Sequence, residues 1–172
     1  IPDAIALSVM DRRNLGFHSG MASDFLVDLM NSGVVTNITK PFDRGVSTTA
    51  ILLGKTKLYE FAHNNKKLKL RPSWHTHSGD VHLLKNFVSI NSALEVDLTG
   101  QVGAEELNGI PISAIGGQPD LVRAAHRSDG GHAIIALPSS AKDGKFSRIV
   151  SKLSGPVTVS YTHLTLPTND QV

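Results

Sequence analysis

Asn91-Ser92-Ala93-Leu94-Glu95-Val96-Asp97-Leu98-Thr99-Gly100-Gln101-Val102 decides how this chain is read, and Ile115-Gly116-Gly117-Gln118-Pro119-Asp120 answers it. In the first stretch the side chains alternate. Leu94, Val96 and Leu98 take one face of a strand, and Glu95, Asp97 and Thr99 take the other. Gly100 ends that strand. The second stretch closes an apolar run with two glycines and opens a new segment at Asp120. A strand, a Gly-Gly turn and a helix start together make a place where backbone N–H groups can face an anionic ligand.

The same grammar extends outward from this pair. Phe87-Val88-Ser89-Ile90 is a strand leading into it. Asp120 is expected to cap a helix through Leu121, Val122 and Ala125, and Ala133-Ile134-Ile135-Ala136-Leu137 is a buried strand closed by Pro138. Upstream, Pro2 to Met10 reads as a helix, with Pro2 in the first turn and Asp3 at the positive end. Asn14 to Ser19 is a short strand entering a turn at Gly20. Ser23 or Asp24 caps a helix with the stripe Phe25, Leu26, Leu29 and Met30, and Gly33 stops it. Thr36 to Gly45 is a polar connection. Val46 to Leu53 is a strand buried on both faces. Thr56 to Ala62 is a helix, Leu68 to Leu70 a strand, and Ser78-Gly79-Asp80 starts a short helix over Val81, Leu83 and Leu84. Strands alternating with short helices predict α/β architecture, an open and mostly parallel sheet flanked by helices, with 1–158 as one domain.

Composition narrows the function classes. The chain has 172 residues, 40% of them hydrophobic and 19% charged, which suits a globular core built mainly of aliphatic side chains, since aromatics are only 5%. A formal net charge of +2 is too small to argue for nucleic acid or a membrane surface. Lys66, Lys67, Lys69 and Arg71 form the one basic cluster, read as a solvated rim, with a phosphate-rich ligand as the sharper alternative. There is no cysteine, which removes disulfides, thiolate metal sites and thiol nucleophiles and fits a reducing, cytoplasmic setting. No apolar run approaches the roughly 18 residues of a membrane span.

The two ends carry their own expectation. The chain opens on Ile1-Pro2-Asp3 without Met, and 159–172, ending Leu166-Pro167-Thr168-Asn169-Asp170-Gln171-Val172, resembles the conceptual translation of a transposon-end sequencing adapter. The chain is therefore expected to be a fragment from a sequencing library, metagenomic in kind, with 159–172 an artefactual tail outside the fold.

Seven motifs in order carry a resemblance. They are Leu15-Gly16-Phe17-His18-Ser19, Ser23-Asp24, Gly33-Val34-Val35-Thr36, Leu53-Gly54-Lys55-Thr56-Lys57-Leu58-Tyr59, the stretch from Asn91 to Gln101, Ile115 to Asp120, and Ser147-Arg148-Ile149-Val150. Through them the chain resembles the acetyl-CoA hydrolase/transferase family of class I CoA-transferases, which includes acetate and 4-hydroxybutyrate CoA-transferases, over almost all of 1–158. The resemblance implies a two-domain enzyme whose C-terminal domain this would be, with a missing N-terminal domain closing the site, so that the fragment alone is expected to be inactive. It implies acyl-CoA and a short carboxylic acid (or water) as substrates, coenzyme A as substrate rather than cofactor, and no metal, nucleic-acid or membrane partner. A homodimer is compatible with it.

Family members use a glutamate that attacks the acyl-CoA thioester, and backbone N–H groups, partly from the double-glycine turn, that hold the oxyanion. The resemblance places that turn at Gly116-Gly117, with Gln118 beside it. It places the nucleophile after His18-Ser19, where this chain has Gly20. Three readings follow: a shifted register, which the flanking His18-Ser19 and Ser23-Asp24 oppose; another carboxylate, for which Glu95 is the candidate; or acyl-CoA binding without transfer, or direct activation of water. Glu95 has an equally direct reading as a structural carboxylate paired with a backbone group or with Arg123 or Arg148. His18, Ser19 and Asn91 are candidate binding residues. His75-Thr76-His77 with His82 has metal-site spacing, since His75 and His77 would share a face of a strand. Loop histidines are the simpler reading, and a metal-binding module stands as a third function class.

Overall fold

The computed structural model describes residues 2–77 and 79–160, with side chains from residue 4 onward. The chain divides into two compact units between Leu84 and Lys85.

The first unit begins with helix α1 (Pro2–Ser8), then strand β1 (His18–Ala22), helix α2 (Phe25–Asn31), strand β2 (Ser47–Leu52), helix α3 (Thr56–Ala62), strand β3 (Leu68–Leu70), the short helix α4 (Ser73–Thr76) and a 3₁₀ turn at Gly79–Leu83. β1, β2 and β3 form a parallel sheet in that order, with His18 beside Thr48 and Thr49 beside Leu70. Ala6, Ala22, Leu26, Leu29, Val34, Val35 and Leu68 make its core, and Phe17, Phe25 and Phe61 pack against it. These residues are the apolar stripes of α1 and α2 meeting one sheet face, the usual way an α/β layer hides its apolar surface.

Three details differ from the sequence reading. Gly20 lies inside β1 and not in a turn. Parallel pairing with β2 carries the strand through it, and a glycine in a strand marks a place where something approaches the backbone closely. Asp24 stands at the start of α2 but does not cap it with its side chain. Both of its carboxylate oxygens instead accept from the Lys55 N–H at 3.1 Å, so Asp24 satisfies an orphan donor at the start of α3. β2 is buried on both faces only in its polar first half, Ser47, Thr48 and Thr49; Ile51 and Leu53 beyond it are exposed. Gly33, at φ +75°, ends α2 as expected.

The second unit contains β4 (Val88–Ser92), β5 (Glu95–Asp97), β6 (Val102–Gly103), β7 (Glu106–Leu107), β8 (Ile110–Pro111), helix α5 (Gln118–Arg127), β9 (His132–Ala136), β10 (Ser140–Ala141), β11 (Phe146–Ser147) and β12 (Ile149–Val150). The longest pairing is parallel, β4 with β9 over five residues, and β12 pairs in parallel with β5 over two. Antiparallel pairs β5–β6, β7–β8 and β10–β11 are short. The architecture is thus the α/β, mostly parallel type that the sequence predicts. Ala93, Val102, Val122 and Val159 form the core of this unit. Val159 and Ser160 are the described part of 159–172, and Val159 is buried and bridges to Val102; residues 161–172 lie outside the described residues.

The opening stretch keeps its period over residues 93–97, with the carboxylates on the more buried face and Val96 partly buried. Glu95 and Asp97 are buried, 9% and 5% exposed, whereas Leu98 is 77% exposed. The strand also breaks, β4 ending at Ser92 before β5 starts. Carboxylates can occupy the inner face only because each is hydrogen-bonded there.

Candidate active site

The chemistry-bearing side chains of the first unit gather where α4 covers β1. By strand alternation His18 and Gly20 share a face, and Ser19 and Met21 the other. His18 is 7% exposed, and its Nε2–H donates to the Thr76 carbonyl at 3.2 Å. Nδ1 then carries the lone pair; it is buried and has no partner among the described residues. Burial, with help from the nearby Lys40 charge, pulls the His18 pKa from 6.5 down to about 4. His18 is therefore a neutral imidazole at pH 7.

Around it lies a polar cluster that sequence reasoning missed. Lys40 is buried in the connection after α2, and its Nζ donates to the carbonyls of Phe17 (3.1 Å) and Val46 (2.9 Å) and to Thr48 Oγ1 (3.3 Å). Burial brings its pKa down to about 8 against the opposing pull of Asp43. Asp43 Oδ2 accepts from His75 Nε2 at 2.7 Å and from Thr48 Oγ1 at 3.0 Å, and Arg71 approaches Oδ1 at 3.8 Å. Burial pushes the Asp43 carboxyl up, but the hydrogen bonds from His75 and Thr48 outweigh it and hold the group below its ordinary range. Phe42 packs edge-on against both His18 and His75. Arg71 thus belongs to this cluster, while Lys66, Lys67 and Lys69 are exposed, as a solvated rim requires. Nothing in the polar connection from Thr36 to Gly45 announces these roles, because the partners come from 32 residues downstream and from the neighbouring strand.

Among the described residues the three histidines do not gather as a metal site. His75 lies in α4 and His77 at its C-cap, so the strand geometry that would put them on one face is absent. His75 is spent on Asp43, His82 Nδ1 is bound to the Gly79 carbonyl, and His77 turns to β1. Among the described residues no group of three His, Cys, Asp or Glu could hold a metal ion.

His77 stands against Gly20. Its Nδ1 lies 3.3 Å from the Ser73 carbonyl and 3.0 Å from Thr76 Oγ1. A Cβ on Gly20 would sit 2.6 Å from His77 Nε2 and 2.9 Å from Cε1, closer than real Cβ contacts come. The imidazole fills the space where a side chain at position 20 would begin.

In the second unit, Glu95 Oε2 accepts from both the backbone N–H and the Oγ of Ser154, each at 2.9 Å. Its partner is a backbone group and a hydroxyl, not an arginine: Arg148 donates to the Leu94 carbonyl and Arg123 approaches Asp120. Asp97 Oδ1 accepts from Thr99 Oγ1 (2.6 Å), Thr99 N (2.9 Å) and Gln101 N (3.0 Å), and Oδ2 from Gln101 Nε2 (3.0 Å). The Thr99 hydroxyl above all, with the Gln101 donors, holds its pKa below the usual carboxylate range. Asn91 binds Ser89 Oγ through its amide at 2.7 Å.

Gly116-Gly117 stands at the head of α5, Gly116 exposed and Gly117 half-buried. Gly116 takes φ +56° and Gly117 is the N-cap, so α5 starts at Gln118; Asp120 is in its first turn and is not its cap. The first-turn N–H groups of a helix have no intrahelical acceptor and face outward along its axis. Pro119 removes one of them, and Gln118 Nε2 is buried without a partner among the described residues. Serving an anion is what such a helix head can do.

Comparison with known proteins places the chain in a family. The model of the acetyl-CoA hydrolase/transferase C-terminal domain matches residues 54–166, well over half of the chain. The chain is 42% identical, over 93% of its length, to the 4-hydroxybutyrate coenzyme A transferase of Clostridium kluyveri, of which it covers 38%. It is 36% identical over 83% of its length to the butyryl-CoA:acetate CoA-transferase of Anaerostipes caccae, of which it covers 33%. The crystal structure of RipA from Yersinia pestis superposes on 95% of the chain with TM-score 0.89 and 38% identity, the chain covering 37% of it. The 4-hydroxybutyrate CoA-transferase of Porphyromonas gingivalis does so over 89% with TM-score 0.78 and 34% identity, the chain covering 36% of it. The chain thus spans well under half the length of these relatives. Among the described residues no helix is long and apolar enough to cross a membrane. The chain belongs to the acetyl-CoA hydrolase/transferase family and carries its C-terminal domain.

Proposed function

We propose that this chain is the acyl-CoA-handling C-terminal part of an enzyme that works on short-chain acyl-CoA thioesters, passing the acyl chemistry to a carboxylate such as acetate or to water. The observation that carries this reading is the Gly116-Gly117 turn, open to solvent at Gly116, at the head of the ten-residue helix α5, in a chain 42% identical over 93% of its length to a CoA transferase. Backbone N–H groups there suit a thioester oxygen as negative charge develops on it. Glu95 is a tie between β5 and the segment at Ser154, because its two hydrogen bonds both serve the fold. That reading leaves the position of the family nucleophile to Gly20. A second reading, an acyl-CoA binder without transfer chemistry, is favoured by Gly20 alone.

The test joins the chain to the portion of the Clostridium kluyveri enzyme that it does not span. Acetyl-CoA is expected to bind, and Gly116→Val, which forces a β-branched residue to φ +56°, is expected to weaken binding at least about tenfold. Turnover in any form excludes the pure binder. Failure of the chimera to bind acetyl-CoA, with its fold intact by circular dichroism, overturns the reading.

A further inference from the structure

We infer that Lys40 is a tethered monovalent cation that positions β1: its ammonium fills an oxygen cage which, once the side chain is cut back, takes a potassium or ammonium ion. The cage is built at the heads of two neighbouring strands. Lys40 Nζ donates to the Phe17 carbonyl at 3.1 Å, the Val46 carbonyl at 2.9 Å and Thr48 Oγ1 at 3.3 Å. Phe17 stands just before β1 and Val46 just before β2, so the ammonium bridges the entry of both parallel strands. Three acceptors meet the three hydrogens of an ammonium. The Thr48 hydroxyl is free to accept, because its own hydrogen goes to the Asp43 carboxylate at 3.0 Å.

The surrounding chain makes room for this side chain and repeats its grip. A Cβ on Gly16 would sit 3.2 Å from Lys40 Cγ and 3.4 Å from Cδ, so the bare backbone at Gly16 is the groove in which the stem lies. Gly16 has no positive φ, and its missing side chain answers to Lys40 and not to a backbone requirement. Lys40 is 6% exposed, and Asp43 balances its charge from beyond the Thr48 hydroxyl. Burial lowers the Lys40 pKa to about 8 against the pull of Asp43, so the group is still an ammonium at pH 7. The same connection holds Phe17 a second time. Asn37 Oδ1 accepts from the Phe17 N–H at 2.7 Å, while its Nδ2 donates to Ser47 Oγ at 2.9 Å. Asn37 and Lys40 together tie both backbone polar groups of Phe17 to the head of β2. They thereby support the register that sets His18 beside Thr48, and His18 and Gly20 follow on the strand so placed.

The cage selects among ions by its size. Uncharged carbonyl and hydroxyl oxygens can stand in for the hydration shell of a large monovalent cation. Magnesium needs oxygens at about 2.0–2.1 Å and calcium at about 2.3–2.6 Å. Oxygens spaced 2.9–3.3 Å from the centre suit neither.

The experiment compares the full chain with Lys40→Ala and Lys40→Met in lithium, potassium and ammonium chlorides of equal ionic strength. It follows the urea midpoint and the backbone NMR signals of Phe17, His18, Val46 and Thr48. Wild type is expected to be indifferent to the cation. Lys40→Ala is expected to lose at least about 1 M in midpoint. In potassium or ammonium, but not in lithium, it is expected to recover roughly half or more of that loss, saturably. Its Phe17 and His18 signals then return toward those of wild type. Lys40→Met keeps the stem and reaches the cage with a methyl group, so it is expected to lose as much and recover nothing. A role in packing alone would leave Lys40→Met close to wild type and give no preference among ions. Gly16→Ala is expected to lower the midpoint of wild type and to leave that of Lys40→Ala unchanged. Equal behaviour of Lys40→Ala in all the salts, folded or unfolded, overturns the inference, and so does a Lys40→Met protein as stable as wild type. None of these readouts involves acetyl-CoA, so the acyl-CoA reading stands or falls separately.

Discussion

The β5 carboxylates of the second unit and the His18 cluster of the first bury polar groups in opposite ways. In the second, Glu95 and Asp97 are closed systems: every acceptor bond that the described residues make to them comes from backbone N–H groups, hydroxyls or an amide nearby, and serves a turn or a strand junction. In the first, the face of β1 under α4 carries imidazoles with lone pairs left over, a buried ammonium and a carboxylate between them. Groups with spent hydrogen-bonding capacity hold a fold. Groups with unspent capacity beside a side-chain gap are where chemistry is available.

The largest effect that would sharpen this contrast is pH-dependent. His18 has its folded pKa depressed to about 4 from 6.5, so the unfolded chain binds its proton first as pH falls. Stability supplied by neutral His18 is complete above about pH 7 and is lost as pH falls from there through 4. The shift corresponds to about 3 kcal/mol. Urea titrations of the chain across that window are expected to show the decline, and His18→Asn to flatten it. A wild-type profile already flat between pH 7 and 4 would break the description of this cluster.

Next comes Glu95→Ala, which leaves the Ser154 N–H and hydroxyl without their acceptor. A loss of about 2 kcal/mol is expected, measured as a drop in the urea midpoint. Acetyl-CoA binding by the chimera is expected to be unaffected at temperatures where both proteins are folded. Loss of chemistry without loss of stability would move Glu95 from the fold to the site. Asp43→Asn is a comparable cut in the first unit. It weakens the hydrogen bonds from His75 and Thr48 and is expected to cost about 1–2 kcal/mol, visible by NMR as a change in the His75 imidazole signals. The smallest is Asp24→Ala, which frees the Lys55 N–H at the head of α3 and is expected to cost about 1 kcal/mol, with helical content near 222 nm slightly reduced.

Much of the frame was legible. The helix stripes of α2 and α3, the glycine stop at Gly33 and the strands β3, β4 and β9 follow from local pattern, because local pattern is what sets them. What failed were decisions made at a distance. Alternation in Leu94–Thr99 reveals period 2 but not which face is inside, and there the inside is set by donors from Ser154, Thr99 and Gln101. Gly20 reads as a turn in isolation, and only pairing with β2 makes it a strand residue. Likewise the His75-Thr76-His77 triplet fits a strand by spacing alone, and Pro72 just before it starts a helix instead. The cluster of Lys40, Asp43 and Arg71 left no local signal at all. Its value comes from residues that meet only when the sheet has formed.

The Asp97 turn has a consequence for the order in which the second unit forms. Its four bonds reach no farther than Gln101, and Gly100 at φ +83° allows the reversal. So short a loop closes on a timescale of tens of nanoseconds. The β4–β9 pair must instead bring Val88 to His132, and β5–β12 must bring Val96 to Ile149, across much longer loops. The hairpin of β5 and β6 is therefore expected to form early, presenting Glu95 before Ser154 arrives to receive it. Kinetic φ-values near 1 for Asp97→Ala and near 0 for Ser154→Ala would record that sequence of events. A carboxylate whose role at equilibrium is to hold a turn would then also act as a template, fixing the edge on which the later, parallel strands dock.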